Sequence, residues 1–256
     1  VIGYVASESP KSQAVSKLLQ KLNFINILEE DNPRVNLLIV VGGDGFMLRV
    51  LHNYVIEKNE NISVYGINTG NVGFLMNQPE EDIMHCIKHA VSTQLILLKM
   101  EATDINNKKY YYKAINEVHI FRQTNQIVEI SVIINGKLKI EKLRGDGIIL
   151  STPVGSPAYN FAAGGPVVPL DSNLLALTSI NSYYPKYWNG ALISNNTVVE
   201  LDIHDVENRP AIVVSDYKEL HNISHIKIAK DQQSTITILF DKEYPLDARI
   251  LDRQFA

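Results

Sequence analysis

Cysteine is almost absent. Cys86 is the only one among 256 residues, so no disulfide forms within the chain and no disulfide framework defines its fold. An excess of one charge is missing as well: 24 Lys+Arg stand against 28 Asp+Glu, for a net charge of −4. Up to residue 95 there are 7 basic and 10 acidic residues, and the remainder carries 17 and 18. Neither part is a basic arm or an acidic tail, which excludes a nucleic-acid binder working through a basic face. Long hydrophobic runs are lacking too. A membrane span needs about 18 consecutive apolar residues, whereas Leu37–Val41 is typical here and ends at two glycines. No basic-then-apolar leader layout opens the chain. The expectation is a reduced, cytoplasmic protein with neither membrane nor nucleic acid as partner.

The patterning is richer. Val1–Ala6 reads as a strand, and Ser9-Pro10 then supplies an N-cap and a first-turn proline. Ala14, Leu18 and Leu22, with Val15 and Leu19 beside them, predict one apolar helix face. Leu37–Val41 reads as a strand buried on both sides. Met47, Val50, Leu51, Tyr54 and Val55 follow at helical spacing, then a strand at Ile62–Ile67. A helix opening at Pro79 and carrying Ile83, Ile87, Ala90 and Val91 completes an alternation typical of an open, mostly parallel α/β sheet. After residue 95 the pattern turns to β: Leu95–Asp104, Lys109–Phe121, Ile127–Ile134, Lys137–Leu143, Thr197–Ile203, Ala211–Ser215, His225–Ile228 and Thr235–Phe240. Asn135-Gly136 marks a hairpin. The expected division is an α/β domain over 1–95 and a β-rich, sandwich-like domain over 96–256. Asp247–Phe255 reads as a closing short helix. Residues 145–169, rich in glycine and proline, read as a long loop, and loops of that length inside compact domains are usually functional.

Three features carry chemistry. Gly42-Gly43-Asp44-Gly45 sits between a buried strand and a helix, where glycines give conformational freedom and room for a ligand, and where a helix start favours phosphate. Asp44 is either the cap of a tight turn or a carboxylate that accepts a substrate hydroxyl; mere phosphate binding does not call for an anion. Asn116-Glu117 interrupts a β run, either as an exposed edge pair or as a ligand contact. The loop offers Arg144, Asp146, then Ser151-Thr152-Pro153, then Pro157-Ala158-Tyr159-Asn160, a set of small, acidic and aromatic groups suited to a polar, partly planar ligand. His85, Cys86 and His89 lack the second cluster that a zinc site needs. Tyr110-Tyr111-Tyr112 reads as a strand split between core and surface. Trp188, near Tyr183, Tyr184 and Tyr187, reads as packing or as a subunit contact.

Taken together, GGDGFML at 42–48, YGINTGNVGFLMN at 65–77, INEV at 115–118 and GDGIILSTPVGSPAYNFAAGGPVVP at 145–169 resemble the NAD kinase family, in its order and spacing. LLALTSINSYYPKYWNGALI at 174–193 is similar to the branch with Phe after GGDG. GGDG alone is shared with lipid kinases and phosphofructokinases; the combination is specific. The resemblance implies transfer of the γ-phosphoryl group of ATP, or in some members of polyphosphate, to the 2′-hydroxyl of the adenosine ribose of NAD. It implies a divalent metal, usually Mg²⁺, an active site in the cleft between the domains, a C-terminal tail packing back on the first domain, and a homo-oligomer. By the same resemblance Asp44 is the catalytic carboxylate, and Gly42, Gly43 and Gly45 bind phosphate. NAD would meet Asp44, Gly45, Arg49, Phe74, Asn116, Glu117, Arg144, Asp146, Pro157, Ala158, Tyr159, Asn160, Ala162 and Asn181. Arg49 reads equally as a surface residue. Phe46 and Pro157 replace threonines common in the family, Val154 and Ala162 stand where relatives can have Ser, and Tyr217 follows the family's Asp216. A lipid or sugar-phosphate kinase and a non-catalytic dinucleotide sensor are the alternatives.

Overall fold

A computed structural model describes residues 1–29, 34–58, 62–71, 73–80 and 82–255. Val72, within the 65–77 motif, lies outside the described residues. The chain divides into two compact units, 1–95 with 234–249, and 96–233 with 250–256. Chain order therefore does not delimit them: a single cut at 95 assigns residues 234–249 to the second unit, whereas they count with the first.

The first unit is built on a parallel sheet. Its strands are β1 (Ile2–Ala6), β2 (Ile25–Asn26), β3 (Leu37–Gly42) and β4 (Ser63–Asn68), with helices α1 (Pro10–Lys21), α2 (Asp44–Val50) and α3 (Ile83–His89). The order is β2-β1-β3-β4, and a late strand's end, Thr237–Leu239, lies parallel to β4. The apolar runs of β3 and β4 are buried on both faces because helices cover both. On one side Leu19 of α1, with Ile83 and Ile87 of α3, packs on Tyr4, Ile39, Val41, Tyr65 and Ile67. On the other, Met47 of α2 comes so close to Gly66 that a Cβ there would lie 2.6 Å from the Met47 methyl carbon. Full burial of one such aliphatic side chain contributes about 2–3 kcal/mol.

The helices depart from expectation in two places. In α1, Ser9 caps the Ser12 amide as predicted, but the packed side runs through Ser12, Val15 and Leu19, while Ala14, Leu18 and Leu22 are exposed. Two apolar stripes about one residue apart were available, and the sheet selected Val15-Leu19. Pro79 does not open α3. Asp82 does, by accepting the His85 amide, and Val91 already belongs to the following strand. Beyond α2 the helix widens over Leu51–Ile56, where Glu57 N donates to His52 O.

The second unit contains β5 (Val91–Asp104, mostly here), β6 (Lys109–Ala114), β7 (Glu117–Arg122), β8 (Val128–Ile134), β9 (Lys137–Gly145), β10 (Gly147–Ser151), β11 (Leu174–Ile180), β12 (Gly190–Ser194), β13 (Val199–Ile203), β14 (Ala211–Ser215), β15 (Lys218–His221) and the first part of β16 (Ile223–Phe240). Helix α4 (Leu246–Arg253) closes the chain. Strands β16-β13-β8-β9, with β5 and β6, make one layer, and β12-β11-β10-β7-β14-β15 make a second, fully antiparallel one. Both layers feed one apolar core, for example Ile130 and Leu201 against Ile120 and Leu177, so this unit is a β-sandwich. Asn135 and Gly136, both at positive φ, form the expected hairpin turn.

Three expectations are corrected here. The stretch 145–169 is not one loop, since Gly147–Ser151 is β10 in the middle of the second layer. The Lys109–Phe121 run breaks at Ile115-Asn116, where the chain leaves the first layer (β6) for the second (β7). The runs at 225–228 and 235–240 are one strand, β16. β12 and β15 are short, with three and one apolar side chains, and carry no strand pattern, whereas β11 is an apolar run, LLALTSI, that the sequence reading passed over. Tyr110 and Tyr112 pack on the core while Tyr111 is exposed, and Trp188 packs on the same core. Among the described residues, no helix is long and apolar enough to cross a membrane.

Candidate active site

In the first unit, β3 ends at Gly42, Gly43 caps α2, and Asp44 is its first residue. None of these glycines has positive φ, so conformational freedom is not their purpose. Gly42 is needed for packing, because a Cβ there would lie 2.7 Å from the Phe46 ring. A Cβ on Gly43 or Gly45 would meet nothing within 4 Å, so nothing in the protein itself explains why these two positions are bare. An open, side-chain-free edge at a helix start is what a phosphate chain needs for close approach.

The Asp44 carboxylate accepts the Phe74 amide at 2.8 Å through Oδ2 and the Leu75 amide at 2.9 Å through Oδ1. Each oxygen keeps a lone pair for another donor. Burial pushes its pKa up, against the opposing effects of the two amides and of Arg249. Phe74 is half-buried beside it, whereas Arg49 is exposed with no partner among the described residues. Sequence reading missed Arg249, on α4, which is buried and donates to the Phe74, Met76 and Tyr244 carbonyls and to Asn77 Oδ1. An arginine in an amphipathic tail gives no sign in the sequence of being turned inward.

In the second unit the site lies on the face of the second layer that points away from the sandwich core. In β7, Val118 and Ile120 enter the core, so Glu117 and His119 project to the other face. Glu117 is not on an exposed edge, since β7 lies between β10 and β14. The Asn116-Glu117 backbone is held from two sides. Asp216, at the β14–β15 turn, accepts the Ile115 amide at 2.7 Å, the Asn116 amide at 2.9 Å and the Glu117 amide at 3.3 Å. Thr152 Oγ1 donates to the Ile115 and Asn116 carbonyls at 2.7 and 3.1 Å. Gly155 is forced: a Cβ there would lie 2.2 Å from Asn116 O.

Glu117 Oε2 and His119 Nδ1 are buried and lack hydrogen-bond partners among the described residues. Burial, reinforced by Asp216, pushes the Glu117 pKa up to about 8, and burial pulls His119 down to about 4. Both side chains are therefore mostly neutral at pH 7. A raised folded-state pKa means that the stability Glu117 contributes is complete below about pH 4.5 and is lost as pH rises through about 8. Glu117→Gln should accordingly gain stability relative to wild type by roughly 2–4 kcal/mol between pH 5 and pH 8.5. Urea unfolding at both pH values measures this, and a pH-independent difference would contradict the buried neutral carboxyl.

The loop residues divide by exposure. Ala158 and Ala162 are exposed, and Tyr159 is half-buried, edge-on to His119 with ring centroids 5.0 Å apart. Pro157 is buried. Asn160 is fully buried, donates to Ser156 O and Pro166 O, and accepts from Thr178 Oγ1 at 2.6 Å. These bonds hold the loop on β11. Arg144 is engaged with Glu129 at 2.8 Å across the β8–β9 pair. The charge partner of Asp146 is Arg122, at 2.6 Å, and Asn181 donates to the other carboxylate oxygen at 2.8 Å. Asp146 lies where the chain crosses from β9 in one layer to β10 in the other. The flanking Gly145 and Gly147 are required there, because Cβ atoms would come within 2.9 and 1.9 Å of neighbouring carbonyl oxygens.

The two halves of the chain match two family models, the ATP-NAD kinase N-terminal domain over residues 6–95 and the ATP-NAD kinase C-terminal domain over residues 115–230. The chain belongs to the NAD kinase family. It is 36% identical to an NAD kinase of Rhizobium meliloti (strain 1021), over 100% of this chain and 97% of that one. It is 38% identical to an NAD kinase of Xylella fastidiosa (strain 9a5c), over 100% and 96%. Among solved structures it is similar to a yeast NADH kinase complexed with NADH, with a TM-score of 0.83 and 16% identity over 98% of this chain and 86% of that one. An NAD kinase from Archaeoglobus fulgidus in complex with ATP gives a TM-score of 0.78 at 22% identity, over 99% and 98%. At those identities the structural likeness speaks for the fold, an α/β unit with a β-rich partner, and the curated relatives carry the family.

Proposed function

We propose that this NAD kinase transfers the γ-phosphoryl group of ATP to the 2′-hydroxyl of the adenosine ribose of NAD, giving NADP. The observation that carries this reading is Asp44, held by two backbone amides between two glycines whose missing side chains serve no packing purpose. On this reading the free lone pairs of Asp44 accept the ribose hydroxyl, and its raised pKa makes it a stronger base than an exposed aspartate. The attacking oxygen keeps its electron pair for phosphorus as its proton passes to the carboxylate. The bare edge at Gly43 and Gly45 lets phosphates approach, with Arg49 free to meet one. In the second unit Asn116 and Glu117 take the adenosine, with Tyr159 and the exposed Ala158 and Ala162 along the dinucleotide. Asp146, fixed by Arg122 and Asn181, takes the nicotinamide side.

A divalent cation fits this site through the donor rather than through a protein cage. No three His, Cys, Asp or Glu among the described residues gather into a metal-holding group, and Mg²⁺ commonly binds phosphates and waters with few protein ligands. It would neutralise charge on the transferring phosphates. We further propose a homo-oligomer, supported by the exposed rings of Tyr183, Tyr184 and Tyr187; a monomer in ultracentrifugation at working concentration would count against it. A cytoplasmic location suits a chain with a single thiol, and cell fractionation tests it.

The activity is tested by mass-resolved product formation from NAD, NADH and a diacylglycerol, each with ATP and with polyphosphate. A mass gain of one phosphate on the dinucleotide supports the reading. Phosphorylation of the lipid alone would overturn it.

A further inference from the structure

The Phe74–Leu75 peptide group lies between two opposite charges. Its carbonyl accepts from Arg249 Nη1 at 3.1 Å, and its N–H donates to Asp44 Oδ1 at 2.9 Å. The guanidinium, one amide plane and the carboxylate thus form a single hydrogen-bonded line. A cation on the carbonyl and an anion on the N–H polarise the amide in the same sense, so each bond strengthens the other. Arg249 also grips the segment's far end, through the Met76 carbonyl and, at 3.0 Å, Asn77 Oδ1. Asn77 is in turn fixed to Gly66, Asn68, Leu239 and Asp241. The guanidinium carbon lies over the rings of Phe240 and Tyr244, at 4.8 and 5.1 Å from their centroids. A residue needed only for packing at this depth would not be an arginine, because burying a guanidinium is costly unless several acceptors offset it.

We infer that Arg249 is the positioning residue for Asp44, acting through the Phe74–Leu75 amide to fix the direction in which the carboxylate faces its substrate. The inference rests on the proposed role of Asp44 but can be read independently of it. Arg249 is also the charged group that holds the Asp44 pKa down from α4, and Asp241, Tyr244 and Tyr65 act on Arg249 in turn. Removing its charge pushes Asp44 further up, so an activity that needs the ionised carboxylate is lost at a higher pH than in wild type.

The test compares the full-length wild-type chain with Arg249→Met and Arg249→Lys. For Arg249→Met the expected result is a kcat lowered 10- to 100-fold, a KM for NAD within about 3-fold of wild type, and an acid limb of the kcat–pH profile moved to higher pH. Arg249→Lys keeps the charge but loses the fork, so it should recover the pH profile more fully than the rate. Should the Met variant fail to fold, the Lys variant carries the same comparison. Wild-type kcat in both variants, or a loss confined to KM with an unmoved acid limb, would overturn the inference. A wild-type chain that does not phosphorylate NAD would instead refute the proposed function. In that event the Leu75 amide proton resonance still decides the positioning claim: it should move upfield in the Met variant, and an unmoved resonance would refute the relay.

Discussion

Asp44→Asn is expected to lower kcat by about 10³-fold, equivalent to about 4 kcal/mol of transition-state stabilisation, while NAD affinity stays within a few-fold. The substitution is also structurally informative. The carboxylate receives an amide on each oxygen, so an asparagine can satisfy one N–H but must turn its own NH₂ toward the other. That conflict costs about 1–3 kcal/mol of stability, a loss measurable as a lowered unfolding midpoint. The catalytic and structural effects therefore separate: steady-state kinetics reports the missing base, and thermal unfolding reports the mismatched amide. Turnover near the wild-type rate with a lowered midpoint would reduce Asp44 to a cap for the Phe74–Leu75 turn.

Asp216→Ala is expected to produce the largest loss of stability together with a weakened substrate site. Its carboxylate accepts the Ile115, Asn116 and Glu117 amides, which leave the first layer of the sandwich for the second at that point. Deleting the acceptor strands three N–H groups, for a combined cost of about 3–5 kcal/mol. For a chain of this size that lowers the melting temperature by roughly 10 °C. The KM for NAD should rise at least about 10-fold, since Asn116 and Glu117 lose their fixed backbone, while kcat changes less. Asp216→Asn is the control. Asparagine tolerates the positive φ of +55° found there and retains one acceptor, so it should fall between the two. A full KM effect without loss of stability would mean that Asp216 touches the substrate directly rather than supporting residues 115–117.

Much of this was legible from the residues. Buried strands such as β3 announced themselves by unbroken apolar runs, the Asn135-Gly136 turn by its residue types, and the cap of α1 by Ser9-Pro10. The candidate site was legible where the local pattern broke: a carboxylate among glycines at Asp44, a polar pair in a β run at Asn116-Glu117. What escaped was whatever depended on partners distant in sequence. Arg249 and Phe74 are 175 positions apart, and no local pattern pairs them. Arg122, which pairs with Asp146 from 24 positions away, carried no signal in the sequence. The hydrogen bond from Thr178 to Asn160, which ties the loop to β11, likewise joins residues that no local pattern pairs. Gly155, Gly145 and Gly147 are demanded by close backbone approach, whereas a Cβ on Gly43 or Gly45 would meet nothing within 4 Å, so the conformational freedom expected of the GGDG glycines is not what the fold uses.

Transfer to one hydroxyl of NAD, rather than to any other, is read most directly from the position of the phosphate on the product. After incubation of the wild-type chain with ATP and NAD, phosphorus–proton correlation NMR should place the new phosphate on the 2′-oxygen of the adenosine ribose. The same product should be reduced by an NADP-specific dehydrogenase, and 2′-deoxy-NAD should yield no phosphorylated dinucleotide. A phosphate on the 3′-oxygen or on the nicotinamide ribose, or undiminished phosphorylation of the 2′-deoxy substrate, would contradict the account.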